Sequence, residues 1–448
     1  MVVAVTPDGR VAETRKNASG EVAVASTTPT LSKAAALSRG KMASAAATQD
    51  APEGELVIYA GGDEPRLAYE VVTTGIKADQ TPSRVKSYVD AENGALLASW
   101  DEIVHAAGTG ESHYVGNVPL TTSGSTGAFT LEDEVGNVTT DLNHSTYGNG
   151  EVFTDEDNAW GDGTTSDRAT AAVDAHFGAE NTYKYFESVH ERRGIWDDGR
   201  GARSRVHYGT NYGNAFWDGE QMTYGDGSGS NPLVALDVAA HEMTHGITEN
   251  TANLVYQGDP GGLNEATSDI FGAAVEFHVE NGEDAGDYLI GEKIDIRGDG
   301  KPLRYMDKPS RDGKSVDCWS TDVNGMDPHY SSGPLNHWFY LASEGSGAKE
   351  INGVAYDSPT CDGSTVTGSS REAMEKVWYR TLSTKLTSTS DYPAAREGAI
   401  ESAIELFGAD SAECKATEDA FNAIAVPAGA AACAAGSTPA SKGAVSTR

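Results

Sequence analysis

The sequence predicts an α+β protein in which strands come first and helices last, preceded by a separate strand-rich domain. Residues 1 to about 107 alternate apolar and polar positions, as in "GELVIYAG", "RLAYEVVTTG" and "RVKSYVDAENGALLASWDEI". From about 108 to 230, short strand-like runs are separated by loops rich in Gly, Asn and Asp, and after 232 the pattern turns mostly helical. At 448 residues the chain also exceeds what one hydrophobic core usually serves, so two or three domains are expected.

Within the first segment, "DAENGAL" reads as a hairpin turn. At "HAAGTGESHYVGNV" small residues break the alternation, which places a boundary after residue 107. One helix-like run, "TSDRATAAVDAHFGAENTYKYFESVHERRG", interrupts the strands that follow. The helical part opens with "LDVAAHEMTHGITEN", and a loop containing "GDPGG" then leads into a run carrying "NEATSD". The end of the chain is small, polar and free of aromatics, so residues 435–448 are expected to form a disordered tail or linker.

Lys and Arg number 33 against 67 Asp and Glu, a formal charge of −34, which opposes nucleic acid and anionic membrane surfaces as partners. It suits a solubilising surface or sites for divalent cations. No apolar run approaches the roughly 20 residues of a membrane-spanning helix. The first residues, "MVVAVTPDGR", lack the basic, apolar and small-residue pattern of a secretory leader, so such a segment is expected upstream of this chain. Four cysteines, Cys318, Cys361, Cys414 and Cys433, lack close zinc-cluster spacing, and their even number suits two disulfides in an oxidising compartment. Of three connectivities, the pairing of chain neighbours, Cys318 with Cys361 and Cys414 with Cys433, is expected; loop closure gives roughly 3 to 4 kcal/mol for each.

The chemistry concentrates in the first helical run. His241 and His245 stand four apart, so an α-helix puts both imidazoles on one face, one turn apart. Glu242 lies beside that face, within reach of a zinc-activated water without binding the metal itself. Glu265 follows the reversing loop and supplies a third ligand, leaving the fourth position for water. Asp269, one turn beyond Glu265, is placed to fix the tautomer of a ligand imidazole. Asp237, one turn before His241, and Glu276, farther along the second helix, form the start of a separate acidic group.

"HEMTH" followed by "NEATSDIFG" resembles the thermolysin family of zinc metalloendopeptidases. The likeness extends to "GNAFWDGEQMTYGDG", "PLRYMDKPS" and "DPHYSSGPLNHWFYL", and runs from about 108 to 428. It implies a two-lobed zincin: a strand-rich catalytic N-terminal lobe over 108–246 that includes the zinc helix, and a helical C-terminal lobe over 247–434. It also implies one catalytic zinc on His241, His245 and Glu265, with Glu242 as the general base. Tyr256 and His329 would stabilise the oxyanion, with Asp327 orienting His329. Arg304 would hold a substrate carbonyl and Asn214 and Ala215 the substrate backbone. Val238, Ile290 and Leu303 would line the pocket for an apolar residue following the scissile bond. Asp237, Glu276, Asp287 and Glu292 match the family's calcium cluster, for one or two structural ions. His337, by contrast, reads as structural.

Residues 1–107 resemble the late part of the family's propeptide, here truncated, which assists folding and inhibits the enzyme before it is cut away. The resemblance therefore implies a secreted, monomeric peptidase whose partners are protein or peptide substrates and its own propeptide. A binding protein that had lost catalysis would need Glu242 or His329 replaced, and both are present. A purely structural zinc site would need a fourth protein ligand, for which the sequence offers no candidate.

Overall fold

The computed structural model describes residues 2–5, 11–15, 24, 26–44, 46, 48–61, 65–76, 82–101, 105–125, 127–228 and 231–434. The expected tail over 435–448 lies outside them. The chain divides into two compact units. The first comprises residues 1–106 with 121–129 and 133–135, and the second the remainder.

In the first unit the alternating segments form antiparallel strands, Glu53–Tyr59, Arg66–Ile76, Pro82–Asp90 and Leu96–Asp101, paired in sequence order. The hairpin read from "DAENGAL" closes through Asp90, whose Oδ1 accepts from the amides of Glu92 and Asn93, while Gly94 takes a left-handed φ of 76°. Helix α1, Lys33–Ala43, covers one face of this sheet, packing Ala36 against Tyr69, Val71, Val89 and Ala91. Alternation predicts only strands here, and the helix departs from it. The helix forms because "KAAALSRGKMA" is rich in strong helix formers and Ser32 caps it by accepting from the Ala35 amide. Gly40 lets it approach closely, since a Cβ there would collide with Val71.

In the second unit, strands Val138–Asp141, Arg203–Val206 and Gln221–Tyr224 run parallel, and Ala215–Trp217 closes the sheet as an antiparallel edge. Helix α2, Arg168–His190, starts at Asp167, which accepts from the Ala169 amide. It packs against α3, Leu236–Glu249, and the contact is close because Gly178 faces Ala239 with no room for a Cβ. Antiparallel to α3 lies α4, Gly258–Val279.

The remaining helices complete the helical part: α5 (Pro328–Ser331), α6 (Gly333–Glu344), α7 (Arg371–Thr384), α8 (Tyr392–Phe407) and α9 (Ala412–Ala423). Trp338 of α6, Trp378 of α7 and Phe421 of α9 are fully buried together, with the Trp338 and Phe421 rings stacked at 4.9 Å. Disulfides join Cys318 to Cys361 and Cys414 to Cys433. His337 is buried between the Asp317 carbonyl and Ser358, a structural position.

Candidate metal centre and cleft

Two antiparallel helices build the centre. On α3 the Nε2 atoms of His241 and His245 approach to 3.0 Å, and Glu265 of α4 brings its carboxylate to 3.6 Å from the first and 3.4 Å from the second. The other ring nitrogens are occupied: His241 Nδ1 lies 2.9 Å from Asp269 Oδ1, and His245 Nδ1 lies 2.8 Å from Asn264 Oδ1. Each Nδ1 thus faces an acceptor and carries the proton, which leaves the Nε2 lone pairs facing one another. Glu265 Oε2 is buried without a hydrogen-bond partner.

Two converging lone pairs and an orphaned carboxylate oxygen repel unless a cation joins them. All three residues place a ligand atom within 4.8 Å of the others. Two imidazoles and one carboxylate, with a fourth position open, fit zinc. Burial alone would lower His245, yet Glu265 draws it up to about 9, so without a metal a proton on the imidazole takes the place of the cation between these groups. Burial likewise opposes ionisation of Glu265, but the two histidines hold it well below the usual carboxylate range.

Asp269 anchors the next layer. It receives Arg304 through two bonds, of 2.7 and 2.6 Å, and Asn336 through a third of 2.7 Å. Burial would raise its pKa, but the Arg304 guanidinium and the His241 bond depress it. The carboxylate therefore stays charged and holds both the imidazole and the guanidinium in place.

A cavity of about 680 Å³ opens over this centre, with Ala215, Trp217, Val238, Glu242, Leu303 and Arg304 among its walls. Asn214 and His329 line it too. Glu242 is 6 % exposed, and burial raises its pKa against the opposing pull of His241 and His245. Ile290, expected in the wall, is buried behind it: its strand, Leu289–Ile290, pairs with Arg304–Tyr305, and Leu303 takes the exposed place. At the rim, Tyr256 Oη donates to Glu265 Oε1 at 2.5 Å and lies 3.4 Å from His329 Nε2. His329 Nδ1 meets Asp327 Oδ1 at 2.7 Å, and that bond holds the Asp327 carboxyl below its ordinary range.

A second acidic group joins the start of α3 to the end of α4. Glu276, Asp284 and Glu292 converge, each with a buried oxygen that lacks a hydrogen-bond partner. Asp237 and Asp287 adjoin them, held by the amides of Gly291 and Leu289. Burial first, and then mutual repulsion, pushes Glu276 and Glu292 well above the usual carboxylate range. Burial and the charge of Asp284 outweigh the amides and bring Asp237 and Asp287 up to about 7. Lys293 approaches Asp284 at 3.5 Å. Such a set of oxygens suits a hard divalent cation.

Residues 107–249 match the thermolysin metallopeptidase catalytic domain, and residues 252–426 match the alpha-helical domain of the same family. The chain belongs to the thermolysin metallopeptidase family. This is a family of zinc metallopeptidases, hydrolases acting on peptide bonds, with a strand-rich N-terminal part and a helical C-terminal domain. The chain is 50 % identical over 436 residues to a transglutaminase-activating metalloprotease of Streptomyces mobaraensis, covering 95 % of this chain and 57 % of that protein. It is 38 % identical to bacillolysin of Brevibacillus brevis, over 84 % of this chain and 67 % of the relative. Among solved structures it resembles the precursor of protealysin, a metalloproteinase from Serratia proteamaculans, at 29 % identity and a TM-score of 0.51, covering 65 % of this chain and 87 % of that one.

Three side chains carry no mark in the sequence pattern read above: Asn264 and Asn336 beside the histidine centre, and Asp284 in the acidic group. Asn264 had a usable signal outside that pattern. In antiparallel helices, a step of one turn forward on α3 corresponds to one turn back on α4, so the partner of His245 sits about one turn before Asp269. Asp284 lies in the "ENGEDAGDY" loop, where no helical or strand period marks which acid points inward.

Proposed function

We propose that the chain is the precursor of a secreted zinc endopeptidase that hydrolyses peptide bonds in proteins, preferring a bulky apolar residue after the scissile bond. The observation that carries this is the convergence of His241, His245 and Glu265 on one point, with Glu242 beside it in the wall of an open cleft. A zinc ion held by these three residues would lower the pKa of a water toward about 7 and polarise the substrate carbonyl. Glu242 takes the water's proton and returns it to the leaving amine. Tyr256 and His329 donate to the developing oxyanion, and Asp327 orients His329. The edge strand Ala215–Trp217 and Asn214 receive the substrate as an added strand, and Arg304, fixed by Asp269, reaches its carbonyl. Val238 and Leu303 offer the apolar wall for the residue after the bond.

The acidic group is assigned to structural calcium, with Asp284 added to Asp237, Glu276, Asp287 and Glu292. A carboxylate whose folded pKa is raised destabilises the fold once pH exceeds its unfolded value of about 4. At neutral pH the cation-free cluster is therefore a cost that calcium removes. Selective calcium chelation with zinc buffered is expected to lower the melting temperature by several degrees and to speed self-digestion. An unchanged melting temperature would exclude the site.

Residues 1–107 are assigned to an inhibitory propeptide that also assists folding, a reading supported by the likeness to a protealysin precursor. Its removal is expected on the N-terminal side of Thr109. Thr109 and Gly110 pair with Ala159 and Trp160, and Ser112 and the His113 amide are bound by buried Asp174 at 2.5 and 2.8 Å. These bonds anchor the catalytic unit and are retained only if the cut precedes them. Time-resolved mass spectrometry of the purified chain, with a peptide substrate present, should show a fragment of roughly the first hundred residues appearing with activity. Activity should cease on zinc withdrawal; full activity from an intact chain, or indifference to zinc, would overturn the assignment. The two disulfides suit an oxidising compartment, and no described helix is long and apolar enough to cross a membrane.

A further inference from the structure

One carboxylate of the cleft wall has no part in the scheme above: Glu249, the last residue of α3. The other charged groups there are committed, Glu265 to the imidazoles and Arg304 to Asp269. Among the described residues no Lys or Arg pairs with Glu249; its Oε2 accepts instead from Trp217 Nε1 at 2.6 Å. The Trp217 ring lies 6.2 Å from that of Trp196. Arg200 stacks over Trp196 at 4.6 Å, but its charge is met by Asp198 at 2.6 Å. The exposed wall thus presents an uncompensated negative charge pinned to the edge of an indole.

Its place along the cleft follows from helix geometry. At a rise of about 1.5 Å per residue, Glu249 lies about 6 Å beyond His245, whereas Val238 lies about 4.5 Å before His241. A substrate extended along Ala215–Trp217 advances about 3.4 Å per residue. With the scissile bond over the point midway between His241 and His245, and the residue after it turned toward Val238 and Leu303, Glu249 stands six residues, about 9 Å, along the helix on the other side. The backbone two positions before the bond lies about 5 Å out, and the remaining distance of about 4 Å is spanned by a side chain as long as Lys or Arg.

We infer that this end of the cleft selects a cationic substrate side chain, Lys or Arg, two positions before the scissile bond, with its charge on Glu249 and its stem or guanidinium along the Trp217 ring. The inference deepens the peptidase reading and rests on it. An exposed ion pair gives modest selectivity, about two- to five-fold, to which contact with the indole face adds.

The test uses the full chain after removal of its N-terminal segment, and two peptides that carry Leu after the bond and differ only in Lys or norleucine two positions before it. The measured quantity is the ratio of their kcat/KM values. The wild type should favour Lys by about two- to five-fold or more at low salt, and the ratio should fall toward one in Glu249→Gln and, for the wild type, at high salt. A wild-type ratio at or below one, or a ratio unmoved by either change, overturns the inference. Cleavage of neither peptide would instead remove the peptidase reading beneath it.

Discussion

Glu242→Gln is expected to retain zinc while losing peptide hydrolysis by about 10²–10⁴-fold. The substitution keeps the size and burial of the side chain in the cleft floor, where Glu242 is 6 % exposed. His241, His245 and Glu265 are untouched, as are Asp269 and Asn264, which orient the imidazoles. What disappears is the carboxylate that the proposed mechanism uses to remove the water's proton and return it to the leaving amine. Metal content and turnover measured on the same sample should therefore separate. A variant that keeps more than about a tenth of wild-type turnover would mean that Glu242 is not the base, since the loss would fall below the general-base range. A variant stripped of zinc would place Glu242 in the metal site itself.

The second large effect concerns His329. Its ring lies at the rim, with Nε2 3.4 Å from the Tyr256 hydroxyl and 3.8 Å from Glu265, and with Nδ1 tied to Asp327. That arrangement aims Nε2, which donates when the imidazole carries both protons, over the centre without adding a fourth ligand. His329→Ala should lower turnover by about 10²–10³-fold, or roughly 2.7 to 4 kcal/mol, with the Michaelis constant changing little and zinc retained. Asp327→Asn keeps the ring and weakens its orientation, so its loss should be smaller. Near-normal turnover in His329→Ala would remove the residue from the oxyanion site, and loss of metal would make its role structural.

The convergence of His241, His245 and Glu265 was legible from helical period and from the reversing loop between them. Four-residue spacing put His241 and His245 together, and the same spacing linked Glu265 to Asp269 on the facing helix. The side chains that complete the site return from far along the chain: Arg304 is 35 residues from Asp269, Asn336 is 67, and His329 is 73 from Tyr256. No local pattern marks such returns, so Arg304 and His329 were placed by family resemblance and Asn336 was not placed at all. In the N-terminal unit, alternation revealed the strands. Helix α1 was missed because its apolar content is mostly alanine, which buries little area and leaves a weak periodic signal, although Ser32 before "KAAAL" is a usable start signal. Ile290, buried at the cleft wall, shows a different limit. The side on which a two-residue strand exposes its side chains is set by its pairing with Arg304–Tyr305, which is tertiary information.

The central claim is that this cleft hydrolyses peptide bonds through a water activated at the His241, His245 and Glu265 centre, with an apolar wall at Val238 and Leu303 choosing the residue after the bond. The most direct measurement is digestion of an unfolded protein by the processed chain, followed by sequencing of every released peptide beside a Glu242→Gln control. New N-termini should be dominated by residues such as Leu and Phe, and they should be nearly absent from the control. Cleavage with no apolar preference at the new N-termini, or fragments released equally by the control, would contradict the account.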